Sequence, residues 1–198
     1  MLEGLPRHIT EMLEKSGALL SGHFILTSGR HSRNYLQCAR LCAVAEFCEE
    51  LAGELAERVR AKLGPKPCDL VLAPAIGGIV IGYEMARRLG VAGIFAERDE
   101  ESVMRLRRGF EIEPGRRVLI AEDVITTGGS VLEVARIVEE RGAEVVGFAV
   151  LFDRSLGAFS PGPPVCSLAE VSIPSYPAGE CPQCAEGTLE AVKPGSRK

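Results

Sequence analysis

The stretch that decides the fold is Val118-Leu119-Ile120-Ala121-Glu122-Asp123-Val124-Ile125-Thr126-Thr127-Gly128-Gly129-Ser130. Val118 to Ala121 is a short apolar run of the size of a fully buried strand. Glu122 and Asp123 are adjacent carboxylates at its end, and Val124 and Ile125 lead into a small-residue loop, Thr126 to Ser130. Beyond the loop, Val131, Val134, Ala135 and Val138 recur at the spacing of a helix with one buried face. A strand that feeds a glycine-rich loop opening a helix is an anion site. The first helical N–H groups have no partner within the helix, and the helix dipole is positive at that end. Glycines let a phosphate approach the backbone, and Thr126, Thr127 and Ser130 add hydroxyl donors. The two acids would repel a phosphate. They suit sugar hydroxyls, which donate to carboxylates, or a divalent cation. The stretch therefore reads as a sugar-phosphate site. It is neither a P-loop, since no Gly-Lys-Ser/Thr closes it, nor a dinucleotide fingerprint, since G-x-G-x-x-G is absent.

The rest of the chain sets the bounds. At 198 residues the length prior gives one domain with modest additions. A net charge of −4 gives no footing for non-specific nucleic-acid binding, which wants a basic domain. The longest apolar stretch, Leu70 to Tyr83, is interrupted by Pro74, Gly77 and Gly78 and is too short to span a bilayer. Met1 to Thr10 has no apolar segment of signal-peptide length. Seven cysteines form an odd set without disulfide-scaffold spacing, which points to reduced thiols in a cytoplasm.

On the N-terminal side of the central stretch, Asp69 to Ala73 predicts a strand, Ala75-Ile76-Gly77-Gly78 a tight turn after Pro74, and Val80 to Leu89 a helix. This second strand–loop–helix unit offers N–H groups to a second anion. The other account of its glycines is close helix–strand packing alone. Val91 to Ala96 predicts a third strand. The run from Glu97 to Phe110 follows, dense in charge and without helical or strand periodicity. It reads as a mobile loop on the edge where α/β sheets bind ligands, and its arginines suit bidentate phosphate contact. Glu144 to Phe152 predicts a further strand with Asp153 and Arg154 at its end. The plain account of Arg154 is a surface ion pair with Asp153. This β-loop-α alternation implies an α/β fold with a mostly parallel sheet and helices on both faces.

The flanks do not follow the alternation. Ile9 to Leu20 predicts a helix, and Ala45 to Leu63 a long amphipathic one whose role is packing. Ser21 to Ser32 reads as a strand breaking into a Ser/Gly turn, with a second short strand from Asn34 to Cys38. Ser155 to Pro164 is a Gly/Pro-rich loop, and Val165 to Ile173 a last strand. Cys181-Pro182-Gln183-Cys184 supplies two ligands where structural zinc wants four; Cys166 or a partner chain are the candidates for the remainder. Lys193 to Lys198 reads as a frayed tail.

Residues 118–130 closely resemble the phosphoribosyl pyrophosphate (PRPP) motif of type I phosphoribosyltransferases, and Gly22-His23-Phe24-Ile25-Leu26-Thr27-Ser28-Gly29-Arg30-His31 through Gln37 resembles the N-terminal segment of the orotate phosphoribosyltransferases. The resemblance covers about residues 9–198. It implies one phosphoribosyltransferase domain over 1–198, with a core of about 45–154 and a hood from about 18–40 and 155–190. It implies transfer of phosphoribosyl from PRPP to orotate in UMP synthesis, and Mg²⁺ as cofactor, held mainly through PRPP rather than by protein ligands. Glu122, Asp123 and Arg98 take the catalytic roles. PRPP falls to Glu122 through Ser130 (Val124, Ile125, Thr126, Thr127, Gly128 and Gly129 included), to Ala75, Ile76, Gly77 and Gly78, and to Arg98, Arg107 and Arg108. Orotate falls to Ser28, Gly29, Tyr35, Thr126 and Arg154. The resemblance further implies a cytoplasmic homodimer in which loop 97–110 closes over the neighbouring subunit's site, with no nucleic-acid or membrane partner. The sequence departs from the family where lysines are usual, at Thr27 and Gly77, and in the loop, where Glu101 and Val103 stand at the usual lysine and histidine positions. The form E-R-D-E…M-R-L-R-R-G-F resembles a Thermus-like bacterial subgroup. Two other readings remain open: transfer to xanthine or a purine, and a non-catalytic PRPP-sensing regulator.

Overall fold

The computed structural model describes residues 5–26 and 28–194. Thr27, the position where the family often has lysine, and the last four residues of the tail lie outside them. The chain folds as two compact units, one of residues 44–170 and one that joins residues 1–43 to 171–198.

In chain order the elements of the two units are α1 (Arg7–Ser16), β1 (Leu19–Ile25), β2 (His31–Leu36), α2 (Cys38–Cys42), α3 (Ala45–Leu63), β3 (Leu70–Pro74), α4 (Gly78–Leu89), β4 (Ala92–Arg98), β5 (Met104–Leu106), β6 (Arg117–Ile125), α5 (Gly129–Glu140), β7 (Glu144–Asp153), β8 (Val165–Glu170) and α6 (Pro182–Glu186). The larger unit is built on a six-stranded sheet of order β5-β4-β3-β6-β7-β8. Every pairing is parallel except β4 with β5. Buried on both faces, β3 and the first half of β6 are continuous apolar runs rather than alternating ones.

Side-chain alternation along β6 divides the core. Val118 and Ile120 pack with Val131, Val134 and Val138 of α5 and with Phe148 and Val150 of β7. Leu119 and Ala121, also buried, point to the opposite face by the two-residue period of a strand. On that side α4 lies close on β3: a Cβ on Gly82 would stand 2.6 Å from Ala73 Cβ. Helices thus cover both faces, as the alternation predicts.

The smaller unit holds α1, the antiparallel β1–β2 hairpin, α2, a 3₁₀ turn at Ala178–Glu180 and α6. The helix expected over Ile9 to Leu20 ends at Ser16. Gly17 adopts φ 60°, and its N–H bonds back to Glu14 O at 3.1 Å; glycine takes this left-handed C-terminal position without Cβ strain. Leu19 and Leu20 instead pair with Leu36 and Tyr35 in the hairpin. The apolar run after Gly17 has no intrinsic mark separating strand from helix, which is why periodicity alone overruns it. The second hairpin strand is His31–Leu36 rather than Asn34 to Cys38, and the short α2 is an addition to the expected elements. Main-chain bonds tie the C-terminal segment to the hairpin: Ile25 N donates to Val192 O (2.8 Å), Val192 N to His23 O (2.9 Å), and His31 and Tyr176 exchange a pair of 2.8 Å bonds.

Candidate active site

Strand order locates the site. From β3 the chain passes through α4 to β4 on one side; β6, on the other side of β3, continues through α5 to β7. The connections after β3 and β6 therefore leave in opposite directions and open a crevice at the carboxyl ends of the strands, where ligands bind in open α/β sheets. The turn Ala75–Gly78 and the loop Thr126–Ser130 are those two connections.

The acid pair sits between them. Glu122 is buried, 8% exposed, and its Oε1 accepts Asp123 N–H at 3.1 Å, while Asp123 Oδ1 accepts Val124 N–H at 2.7 Å. The Ala75–Gly78 turn lies directly against them. A Cβ on Gly77 would stand 3.1 Å from Asp123 Oδ2, and one on Gly78 would stand 2.9 Å from Glu122 Oε1 and 3.2 Å from Ala121 O. The two glycines thus serve the approach of this turn to the carboxylates, a third account beside anion binding and helix packing. Asp123 remains partly exposed as a residue, but burial of its carboxyl group pushes its pKa up, against the hydrogen bonds that favour the charged form. A carboxylate held at this cost gains from hydroxyl donors or a hard cation.

The second loop is fixed by Phe159, a residue that sequence reading passes over. Gly128 stands at φ 77° and caps α5; a Cβ there would meet two ring carbons of Phe159 at 2.2 Å. Phe159 is buried and packs edge-on against Phe148 at 5.4 Å between centroids. A single aromatic in a Gly/Pro-rich loop carries no periodic signal, so nothing in the sequence marks it. Leu132 N–H donates to Gly128 O at 2.9 Å, the first helical bond. The amides that precede it belong to the helix start, where no intrahelical acceptor exists. Thr126, Thr127 and Gly129 are exposed there.

Arg154 follows β7 and is anchored by its own N–H to Ile125 O at 2.8 Å, next to the start of the Thr126 loop. Asp153 Oδ1 accepts Ser155 N–H at 2.7 Å. Ser28, Gly29 and Tyr35 belong to the smaller unit. Ser28 and Gly29 form the exposed hairpin turn, with Gly29 N–H on Leu26 O at 2.9 Å, and the Tyr35 ring lies 5.9 Å from that of Phe24.

Residues 97–110 depart from expectation. The charged run is an ordered β-hairpin, with β4 extending to Arg98 and pairing with β5. Asp99 organises its turn: Oδ1 accepts the N–H groups of Glu101 (3.0 Å) and Val103 (2.9 Å), and Oδ2 meets Arg105 Nε. Each arginine is already paired with an acid. Arg98 makes a bidentate bridge to Glu133 on α5 at 2.8 and 2.9 Å. Arg108 pairs with Glu97 at 3.0 Å and stacks 5.5 Å from the Phe95 ring centre, and Arg107 Nε lies 4.0 Å from Glu97. Only three residues, Met104-Arg105-Leu106, carry the apolar alternation of β5: Met104 and Leu106 face the core with Ala96, and the charged residues around them mask so short a signal.

Among the described residues one other group of metal-ligand type comes together: His23, His31, Cys181 and Cys184. Cys166 is not in it; it is a β8 residue of the sheet. In the sequence the two histidines stand out only as part of the hairpin, and their distance from the C-x-x-C pair conceals the grouping.

Comparison with known proteins agrees with this geometry. The model of the phosphoribosyl transferase domain matches residues 44–161. An orotate phosphoribosyltransferase of Pelotomaculum thermopropionicum is 52% identical over 190 residues, 96% of this chain and 97% of that one. One of Thermotoga maritima is 46% identical over 96% of this chain and 98% of its own. The crystal structure of orotate phosphoribosyltransferase from Aeropyrum pernix superposes with a TM-score of 0.65 at 28% identity, over 82% of this chain and 93% of that one. With a buried acid pair between two glycine loops at the switch point of its sheet, and this identity over nearly its whole length, the chain belongs to the phosphoribosyltransferase family, in the orotate phosphoribosyltransferase group.

Proposed function

We propose that the chain transfers the 5-phosphoribosyl group of PRPP to orotate, giving orotidine 5′-monophosphate and pyrophosphate, a step of pyrimidine synthesis. The observation that carries this is the acid pair enclosed between two amide-bearing loops. The Thr126–Ser130 amides suit the 5′-phosphate, the Ala75–Gly78 turn the pyrophosphate, and Glu122 and Asp123 the ribose hydroxyls between them. The reaction is a displacement at the anomeric carbon with oxocarbenium-like character. Carboxylates on the ribose hydroxyls place negative charge beside the cationic sugar where it develops. The hydroxyls in turn add donors to the one that Val124 N–H already gives the Asp123 carboxylate. The oxygen-only donor set of Glu122 and Asp123 fits Mg²⁺. When bound, Mg²⁺ would supply positive charge for the departing pyrophosphate.

Arg98, Arg107 and Arg108 are assigned to the pyrophosphate. Their present acid partners act as place-holders, exchanged for phosphate oxygens when the hairpin engages. Orotate is assigned to Thr126, Arg154, Ser28, Gly29 and Tyr35, with the Arg154 guanidinium matching the carboxylate of the base. The working form is a homodimer in which the 97–110 hairpin covers the neighbouring subunit's site. The seven free thiols accord with a cytoplasmic protein. No helix among the described residues is long and apolar enough to cross a membrane.

The test is loss of orotate ultraviolet absorbance in the presence of PRPP and Mg²⁺, with uracil, xanthine and adenine followed by pyrophosphate release. Consumption of orotate alone is expected. Turnover of another base, or PRPP binding without any turnover, overturns the assignment. For the dimer, mixing inactive Arg98→Ala and Asp123→Asn proteins is expected to restore part of the activity; no recovery at concentrations where the protein sediments as a dimer rules out a shared site.

A further inference from the structure

The smaller unit has a weakness of construction. It joins two pieces from opposite ends of the chain, and among its described residues the helices are α1 of ten residues and α2 and α6 of five each. Units of this size commonly need a disulfide or a metal to supplement their core.

Four ligand-type side chains meet where its two pieces join. His23 lies on β1 and His31 opens β2; Cys181 and Cys184 flank the first turn of α6. Their ligand atoms all lie within 4.8 Å of one another. His23 Nε2 stands 2.9 Å from His31 Nδ1, 3.4 Å from Cys181 Sγ and 3.6 Å from Cys184 Sγ, and Cys184 Sγ is 3.3 Å from His31 Nδ1. With Zn–S of about 2.3 Å and Zn–N of about 2.0–2.1 Å, a tetrahedral site has edges of about 3.3 Å between nitrogens and about 3.6 Å between nitrogen and sulfur. The nitrogen–sulfur distances of 3.3, 3.4 and 3.6 Å come close to this figure, the nitrogen–nitrogen distance of 2.9 Å is shorter, and no distance in the group exceeds 4.8 Å.

The surroundings support a metal rather than a chance meeting. His23 Nδ1 lies 2.9 Å from Leu189 O. A carbonyl accepts only, so Nδ1 carries the proton and Nε2 turns its lone pair to the centre of the group. A backbone carbonyl fixing the remote nitrogen is the usual orienting contact of a metal-bound histidine. His23 and Cys181 are buried, 3% exposed each, and His31 nearly so at 8%. Gln183 Nε2 donates to Gly22 O at 2.8 Å and seats α6 on the hairpin beside His23. Two thiols and two imidazoles within this distance of one another are the donor set that selects zinc among common divalent ions.

We propose that His23, His31, Cys181 and Cys184 form a structural zinc site that clips the C-terminal segment to the β1–β2 hairpin. Cys181 and His23 are 158 residues apart in sequence, so the metal closes a loop of most of the chain. All four ligand positions are filled by protein, leaving none for a reactive water, so the role is structural.

The test is metal analysis of untagged protein purified under reducing conditions without chelator. The expected result is one zinc per chain, released stoichiometrically by a thiol-blocking mercurial. Cys184→Ser and His31→Ala are expected to lose the zinc, and Cys166→Ser to keep it. Because a ligand variant can misfold, wild-type protein is also stripped and refilled with Co²⁺. Visible d–d bands of tetrahedral cobalt and a thiolate-to-cobalt charge-transfer band are expected, together with slowed amide exchange in residues 19–25 and 174–192. Protein without zinc whose two thiols titrate freely, a Cys181–Cys184 disulfide in the reduced preparation, zinc retained by both ligand variants, or octahedral cobalt spectra would each overturn the proposal.

Discussion

Gly128→Ala probes the phosphate loop at its tightest point. Two effects act on it. The residue holds φ 77°, and left-handed backbone costs an L-residue with a Cβ about 1–2 kcal/mol. The new methyl would also stand 2.2 Å from two carbons of the Phe159 ring. Because Phe159 is buried and packed edge-on against Phe148, it cannot swing into solvent without giving up that contact. Overpacking of this kind costs about 1–3 kcal/mol. The expected loss of stability is therefore about 2–5 kcal/mol. It is read as a fall in the urea midpoint at unchanged m-value, accompanied by a raised KM for PRPP as the loop amides shift. Removing the ring separates the two effects. Phe159→Ala alone costs about 3–5 kcal/mol, but in the double variant the clash vanishes and only the backbone strain persists. The double variant should thus be more stable than additivity predicts by about 1–3 kcal/mol. Gly129→Ala is the control: its Cβ would find only Thr127 Oγ1 at 3.8 Å, and its effect should stay within about 0.5 kcal/mol. A stable Gly128→Ala protein, strict additivity with Phe159→Ala, or equal costs at positions 128 and 129 would refute the reasoning.

Asp123→Asn should abolish most turnover yet stabilise the ligand-free protein at neutral pH. Burial raises the Asp123 pKa above its ordinary 3.8, so the native state holds a proton that the unfolded chain has released, and stability falls as pH rises from 3.8 through the raised value. Urea melts against pH should show that decline in the wild type and a shallower one in the variant; a variant less stable at neutral pH contradicts it. Gly82→Ala, whose methyl would meet Ala73 Cβ at 2.6 Å, should cost about 1–3 kcal/mol without changing KM, and Ala73→Gly should restore it; a changed KM would show that this contact reaches the site. Arg98→Ala should lower kcat by about 10²–10³-fold if it meets the departing pyrophosphate, whereas Arg105→Ala, held by Asp99 within the hairpin, should lower it by less than about tenfold; equal effects in steady-state assays would mean that both act by holding the hairpin.

The parallel sheet and the acid pair are legible in the sequence because their physics is local. Val118 to Ala121 is apolar on both faces because a central parallel strand is covered on both, and a run of small residues before an amphipathic pattern marks the helix start wherever it occurs. The parts that escape reading depend on residues distant in sequence. Phe159 is informative only once it is known to lie on Gly128. Glu133 looks like an exposed helical acid until β4 brings Arg98 beside it. The cysteine pair looks like half a site because its other half is on a hairpin near the opposite end of the chain. The 97–110 run misleads for a different reason. The apolar alternation of β5 spans only Met104, Arg105 and Leu106, shorter than the roughly four to eight residues over which alternation identifies a half-buried strand, and charge pairs surround it.

The placing of Arg98 bears on how the enzyme discriminates against empty closure. Its guanidinium has a bidentate partner in Glu133 at 2.8 and 2.9 Å, and Glu97 occupies Arg108 in the same way. An arginine so engaged gains little from meeting a surface carboxylate or water, since either exchange replaces one hydrogen-bonded acceptor by an equal or poorer one. Pyrophosphate, carrying more charge and more oxygens than one glutamate, is the acceptor that makes the exchange favourable. The hairpin would then engage when PRPP is present and rest when it is not. Glu133→Gln weakens this partner while keeping its shape, and should lower the concentration of PRPP needed to slow amide exchange in residues 97–110. If the variant needs the same or more PRPP than wild type, the glutamate positions the arginine rather than competing for it, and the exchange argument fails.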